Sequence, residues 1–259
     1  MLTNSQIEQF HRDGFLLVPS VFTKKQVTEM RTFLVNLFNS KIQFPGDTRN
    51  FRNDIASKYP QLQWLLFYPS MISVLKSLLG NNFVFLPEMA AHYSNYSGWH
   101  KDTTSQECAG HKFHWQSNYL MVETAIYLQD NNEYGGGLDV IPGSHNYPDL
   151  YATSYGQEFL RNRKNYKSLQ YSIPSKAGDL IIFHFRIDHK ASLPKICSID
   201  SIPTEQRKLA MFFACSANNE HVANYKNFLM SRADYQYLKN HQYSADLLNL
   251  TKEHNFILA

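Results

Sequence analysis

The sequence predicts a mainly β protein, a sandwich or jelly roll, buttressed by helices at both ends of the chain. From Asn82 onward, short β-forming runs recur between turns rich in Gly, Pro and Asn: Phe83–Leu86 continuing to Tyr93, Leu120–Leu128, Leu138–Ile141, Leu169–Ile173, Leu180–Ile187 and Arg207–Cys215. No helical stretches alternate with these runs, as a parallel sheet would require. Helical periodicity is confined to the first third and the tail. About eight strands of this kind can enclose a small-molecule cavity at one end.

Taken in order, Ser5–Arg12 reads as a short helix stopped by Gly14, and Gly14–Pro19 as a strand ended by its proline. Thr23-Lys24-Lys25-Gln26 has the capping-box pattern. Val27, Met30, Leu34 and Leu37 then share one face of a helix running to Phe38. Residues 41–60 hold Pro45, Gly46, Asp47 and Asn50 without a sustained period, and read as a polar loop. A helix over Ser70–Leu79 places Ile72, Leu75 and Leu79 together, with Gly80 as its stop. Beyond the strands, Ala233–Leu238 and Ala245–Leu250 read as helical, with cladding of the core as the expected role.

No repeat, low-complexity tract or linker divides the 259 residues, so one domain is expected. Its parts are a helical section of about 1–80, a β core of about 82–218 and an extension of about 219–259. Apolar residues at 43% fit a globular core, and a net charge of +3 spread along the chain gives no argument for nucleic acid. Cys108, Cys197 and Cys215 have neither zinc-site nor disulfide spacing, which points to a reducing compartment. Met1–Gln6 lacks the features of a secretion signal, and no apolar run approaches the roughly 20 residues that span a bilayer. The expectation is a soluble cytoplasmic protein with no membrane contact. Oligomeric state is not readable.

Chemistry concentrates at Gly98-Trp99-His100-Lys101-Asp102. On an extended segment, residues two apart project to one side, so His100 and Asp102 can grip one ion. The third ligand must come from far away, and His189, ending the apolar run from Gly178, supplies it. Two histidines and a carboxylate on one face of a metal leave the opposite face open, as in non-haem Fe(II) oxygenases. His11-Arg12-Asp13 has the same spacing but ends a helix, where side chains two apart diverge.

Trp-His-x-Asp at 99–102, Gly137-Leu138-Asp139-Val140-Ile141-Pro142-Gly143-Ser144-His145, the run Gly178–His189 and Arg207 opening a late strand stand in an order that resembles the phytanoyl-CoA dioxygenase family of Fe(II)/2-oxoglutarate oxygenases. The resemblance spans about half the chain. It implies a double-stranded β-helix, a cupin-like jelly roll. It also implies Fe(II) on His100, Asp102 and His189, with 2-oxoglutarate as cosubstrate and O2 taking the remaining position. The implied reaction is hydroxylation of a small molecule with release of succinate and CO2. Asp102 fills the position that related halogenases vacate for halide.

The cosubstrate's far carboxylate needs a cation inside the barrel. Arg207 is the expected one and Lys208 the poorer candidate; adjacent strand residues face opposite sides, so both cannot point inward. The family usually places this arginine nearer the distal histidine, whereas here a loop with Pro194 and Pro203 intervenes. Thr124 matches a strand that lines the cosubstrate pocket in relatives, and Trp99 is expected to wall the metal site. Glu123 stands where relatives often have an aromatic residue, and either meets a cationic substrate group or points outward.

The remaining polar residues have plainer readings: His184 and His145 as structural histidines, His111 and His114 on a loop, and Gly135-Gly136-Gly137 as a β-turn. Lys101, Lys112 and Lys190 permit an anionic substrate and Glu107 and Glu123 a cationic one, so the charges cancel. No basic cluster for CoA phosphates is evident, which favours a natural product over a lipid thioester. Two other readings compete: a jelly-roll binding protein without turnover, and a cupin-like metalloenzyme without 2-oxoglutarate. Succinate formation separates the first, and 2-oxoglutarate binding the second.

Overall fold

In the computed structural model, residues 1–41, 43–116, 119–147, 149 and 169–259 are described. Helix α1 (Asn4–Asp13) starts on a capping box between Thr3 and Gln6 and stops at Gly14, whose φ of +82° is the left-handed conformation that glycine adopts freely. Strand β1 (Phe15–Val18) follows, then α2 (Lys24–Asn39), where both Thr23–Gln26 capping bonds form and Val27, Met30, Leu34 and Leu37 are all buried. Strand β2 (Phe51–Asn53) and α3 (Ile55–Lys58) lead through a 3-10 stretch, Pro60–Phe67, into α4 (Pro69–Leu79).

The long strand β3 (Val84–Tyr93) carries the chain toward the chemistry-bearing segment, where α5 (Thr104–Cys108) follows. Next come β4 (Met121–Tyr127), β5 (Leu138–Val140), β6 (Tyr171–Ser172), β7 (Leu180–His184), β8 (His189–Ala191) and β9 (Leu209–Ser216). Helix α6 (His221–Ser231), a 3-10 stretch Ala233–Asn240, α7 (Ala245–Glu253) and β10 (Ile257–Leu258) complete the chain.

Two sheets make the jelly roll. The larger runs β1-β7-β4-β9-β3-β10 with β2 added to β3, and the smaller runs β6-β5-β8. Every pairing is antiparallel except β10 on β3. Alternation along each strand divides the side chains between two faces. Val122, Ile126, Leu180, Ile182, Leu209, Met211 and Phe213 form one core with the helices, including Leu34, Leu37 and Leu75. Ala125, Tyr127, Ile181, Phe183 and Ala210 instead meet Leu138, Val140 and Ile187 between the sheets. The site is built on this second face.

The structure differs from expectation in 41–60, which is not a featureless loop. Arg52 on β2 is buried, donates to the carbonyls of Thr48, Phe51 and Leu37, and lies 3.9 Å from Asp47. A buried polar network of this kind leaves no hydrophobic period to read. The run expected as one strand over Leu180–Ile187 also divides, turning after His184 and resuming at His189. No single helix among the described residues is long and apolar enough to cross a membrane; the bent pair Pro60–Phe67 and Pro69–Leu79 sends Leu62, Leu65, Met71 and Leu75 into the core.

Candidate metal centre and cavity

His100 and His189 face each other across an antiparallel bridge, each backbone N–H donating to the other's carbonyl at 3.0 Å. His189 also pairs with Val140 of β5, so its position is fixed from both sides. The turn after β7 supplies the Phe185 carbonyl that accepts from the Asp102 N–H at 3.1 Å. Backbone pairing thus joins two segments nearly ninety positions apart in the chain.

The side chains converge. Asp102 Oδ1 lies 3.7 Å from His100 Nε2 and 3.5 Å from His189 Nε2, and one ligand atom from each residue falls within 4.8 Å of the others. His100 Nδ1 donates to the Gly98 carbonyl at 2.7 Å, and His189 Nδ1 to the Ile187 carbonyl at 3.1 Å. A carbonyl only accepts, so the proton sits on Nδ1 and the Nε2 lone pair faces the centre. Burial lowers both imidazole pKa values, which keeps the rings neutral. Burial, with Glu88 nearby, holds the Asp102 carboxyl well above the usual range, and Asp102 Oδ2 has no hydrogen-bond partner among the described residues. A bound cation would relieve that penalty.

Lys101, between the two candidate ligands, points away from the centre. Its ammonium is buried 3.3 Å from Asp188 and donates to the carbonyls of Ser144 and Arg186. It ties the His100–Asp102 segment to the turn that delivers His189.

A cavity of about 430 Å3 opens from this centre. On β9 the alternation places Leu209, Met211 and Phe213 toward the helices, so Lys208 falls on the cavity side with Phe212. Lys208 is 3% exposed and lines the cavity, and burial draws its ammonium down to about 8, with no carboxylate among the described residues offsetting it. Arg207 lies outside. It caps a 3-10 turn, donates to the Ile202 carbonyl at 3.2 Å and borders a separate pocket with Asn50 and Thr204. The folded chain thus places Lys208, and not Arg207, at this cavity.

Thr124 is also off the cavity. It lies on the helix-facing side of β4 and donates to the Phe213 carbonyl at 3.0 Å. Trp99 alternates with His100, and its ring meets Lys190 at 5.2 Å instead of walling the site. Glu123 and Tyr127, on the opposite face of β4 from Thr124, do line the cavity. Glu123 Oε1 and the Tyr127 hydroxyl are buried without hydrogen-bond partners among the described residues. Glu88 enters from β3, held by the Tyr225 and Tyr235 hydroxyls, the latter at 2.9 Å, and by Arg232 at 3.8 Å. The C-terminal segment thus walls the cavity as well as cladding the core.

The other histidines have local partners. His145 Nε2 donates to the His11 carbonyl at 3.0 Å, and His184 Nδ1 accepts from the Arg186 N–H at 3.0 Å. His114 is buried 3.1 Å from Glu107, and neither it nor His111 lines the cavity. Of the polar segment 103–118, residues 117 and 118 lie outside the described residues. Tyr127 and Glu88 escaped the sequence reading, because both faces of these strands are buried and apolar periodicity does not tell inside from outside.

A jelly roll with two histidines and a carboxylate gathered at the mouth of its interior defines the class: the double-stranded β-helix fold, with a cluster whose geometry could hold a metal ion. The chain belongs to the phytanoyl-CoA dioxygenase (PhyH) family, whose sequence profile matches residues 10–193. That span includes His100, Asp102 and His189 but stops short of Arg207 and Lys208. No curated protein matches the chain in sequence.

Among solved structures, EvdO2 from Micromonospora carbonacea var. aurantiaca complexed with 2-oxoglutarate superposes with a TM-score of 0.60 at 17% identity, covering 84% of this chain and 92% of its own. EctD from S. alaskensis with bound Fe gives 0.60 at 18%, covering 83% and 77%. The epimerase SnoN in complex with Fe3+, alpha ketoglutarate and nogalamycin RO gives 0.60 at 16%, covering 82% of both chains. At these identities the likeness is one of fold.

Proposed function

We propose that this chain is an Fe(II)- and 2-oxoglutarate-dependent dioxygenase that hydroxylates a small molecule, acting as one domain over residues 1–259. The observation that carries the reading is the convergence of His100, Asp102 and His189, with both imidazole tautomers preset, beside a cavity that holds an unpaired lysine. These three side chains would hold the iron. Lys208 would receive the far carboxylate of 2-oxoglutarate, and the unpartnered Tyr127 hydroxyl on the same face would donate to it. When bound, iron, 2-oxoglutarate and O2 supply oxidative decarboxylation to succinate and CO2, together with the oxidising power that acts on a substrate C–H bond.

The residues of the chain prepare that chemistry. The Nδ1–H bonds to Gly98 and Ile187 keep the rings oriented, and Lys101 fixes the loop between the ligands. Phe183, Phe185 and Phe212 line the interior and limit its water. Asp102 occupies the carboxylate position, which favours hydroxylation over halide transfer. The fold also carries an epimerase among its neighbours, so the reaction outcome depends on where the substrate is held. The three free thiols, Cys108, Cys197 and Cys215, fit the reducing cytoplasm.

Anaerobic addition of Fe(II) and 2-oxoglutarate to the metal-free protein is expected to produce a weak visible charge-transfer band, and His189→Ala to abolish it. A band that survives His189→Ala removes His189 from the ligand set. Failure of the native protein to develop the band rejects the oxygenase reading.

A further inference from the structure

We propose that the substrate is an organic ammonium ion whose positive charge is received by Glu123 inside the cavity, a refinement that rests on the oxygenase reading above. Glu123 sits in mid-strand on β4, opposite Phe183 of β7 and Ala214 of β9, and its side chain projects between the sheets. It is 6% exposed, and its Oε1 has no hydrogen-bond partner among the described residues. A carboxylate buried in this way is costly unless something pairs with it.

The rest of the cavity's charge is already committed. Arg232 is engaged with Asp234 at 2.7 Å and with Glu88 at 3.8 Å, and Glu88 is held by two tyrosine hydroxyls. Lys101 belongs to Asp188. In the loaded enzyme a divalent iron with Asp102, and the two carboxylates of 2-oxoglutarate with Lys208, would sum to neutrality. The Glu88–Arg232–Asp234 group keeps one net negative charge, which the Tyr225 and Tyr235 hydroxyls solvate at Glu88. Outside the candidate metal ligands, Glu123 is then the carboxylate among the described lining residues with no cation at salt-bridge distance and no hydrogen bond at its Oε1.

The opposite assignment, an anionic substrate, loses its support in the folded chain. Lys190 lies 3.4 Å from Asp139 and stacks on Trp99, and neither it nor Lys112 lines the cavity. Glu107, which also permitted a cationic substrate in the sequence, is engaged by His114 and Trp115. The walls suit an ammonium: Phe51, Phe183, Phe185, Phe212 and Tyr235 present aromatic surface to the same cavity. Glu123 would also repel carboxylate or phosphate groups brought to the same place.

Two probe pairs test this by titration calorimetry on the anaerobic Fe(II)/2-oxoglutarate-loaded protein. Choline is compared with its uncharged isostere 3,3-dimethylbutan-1-ol, and 2-phenylethylamine with 2-phenylethanol; the quaternary nitrogen of choline has no lone pair for the metal. Each ammonium is expected to bind about tenfold or more tighter than its alcohol, and Glu123→Gln to reduce that ratio to about twofold or less. An ammonium that binds no better than its alcohol, non-binding of both included, overturns the proposal, as does a preference that survives Glu123→Gln. Should Glu123→Gln fail to fold, the ratio in the native protein decides alone. The same titration on metal-free protein separates the two readings. A missing charge-transfer band with the ammonium preference intact rejects the oxygenase and keeps the ammonium site; the reverse result rejects only the ammonium.

Discussion

At the scale of the residue, the fate of two adjacent cations shows what one step along a strand decides. Lys208 shares the cavity face of β9 with Phe212, while Arg207 caps a turn outside. Lys208→Met is therefore expected to weaken 2-oxoglutarate binding about tenfold or more, and Arg207→Met to leave it within about twofold, both read by calorimetry on metal-loaded protein. The pH dependence has a defined sign. Only the protonated amine holds a carboxylate, and burial brings Lys208 down to about 8, so affinity should fall as pH rises through that value. In Lys208→Met this loss should disappear. For stability the sign is opposite: the unfolded chain keeps this proton up to the ordinary value of 10.5, so the folded state gains between about 8 and 10.5. Sequence spacing located both cations, and the tertiary direction of the strand chose between them.

At the scale of the element, the glycines Gly135–Gly137, which close and follow a turn over Asn132–Gly135, govern a strand they do not belong to. The Gly136 N–H donates to the Ser192 carbonyl at 2.8 Å, and the Ser192 N–H to the Gly137 carbonyl at 3.0 Å, which fixes the end of β8. His189 begins that strand. Gly135 has a φ of +69°, and a Cβ there would lie 2.5 Å from the Ser192 carbonyl oxygen, in rigid backbone. Gly135→Ala is expected to cost about 2 kcal/mol or more and to lower the melting temperature, with weaker metal binding as the second readout. The reading of these glycines as a turn was available in the sequence; their contact with the far side of β8 was not. The capping boxes at Thr3 and Thr23 lay at the opposite extreme, since a bond between residues three apart is spelled out locally. Arg52 and Asp47, by contrast, read as a polar loop because their burial depends on carbonyls delivered by α2 and the turn before β2.

At the scale of the whole molecule, the centre couples both sheets. His189 pairs with β5 of the smaller sheet, His100 bridges to His189, and Asp102 hangs from the turn after β7 of the larger one. A metal on these ligands binds the folded chain and not the unfolded one, so at a free concentration about a hundredfold above Kd it adds about 2.7 kcal/mol. For a chain of this length that corresponds to a rise in Tm of several degrees, measurable by adding Fe(II) anaerobically and reversed by a chelator. His100→Ala should show no such shift. The C-terminal segment belongs to the same scale, because Tyr225, Arg232 and Tyr235 reach back to Glu88 on β3 and make the tail a cavity wall.

By itself, the sequence determined the jelly roll, its helical buttresses and the histidine–carboxylate set, because hydrophobic period, caps and a two-residue spacing are local properties of a chain. Folding decided which side chains face the interior. It put Lys208 rather than Arg207 in the cavity, turned Thr124 and Trp99 away, and buried Glu123 in the same cavity as His100, Asp102 and His189, its Oε1 without a hydrogen-bond partner among the described residues. Both faces of these strands are covered, one by helices and one by the opposing sheet, so the pattern of apolar residues carries no label for inside. Only the packing of one layer on another supplies it.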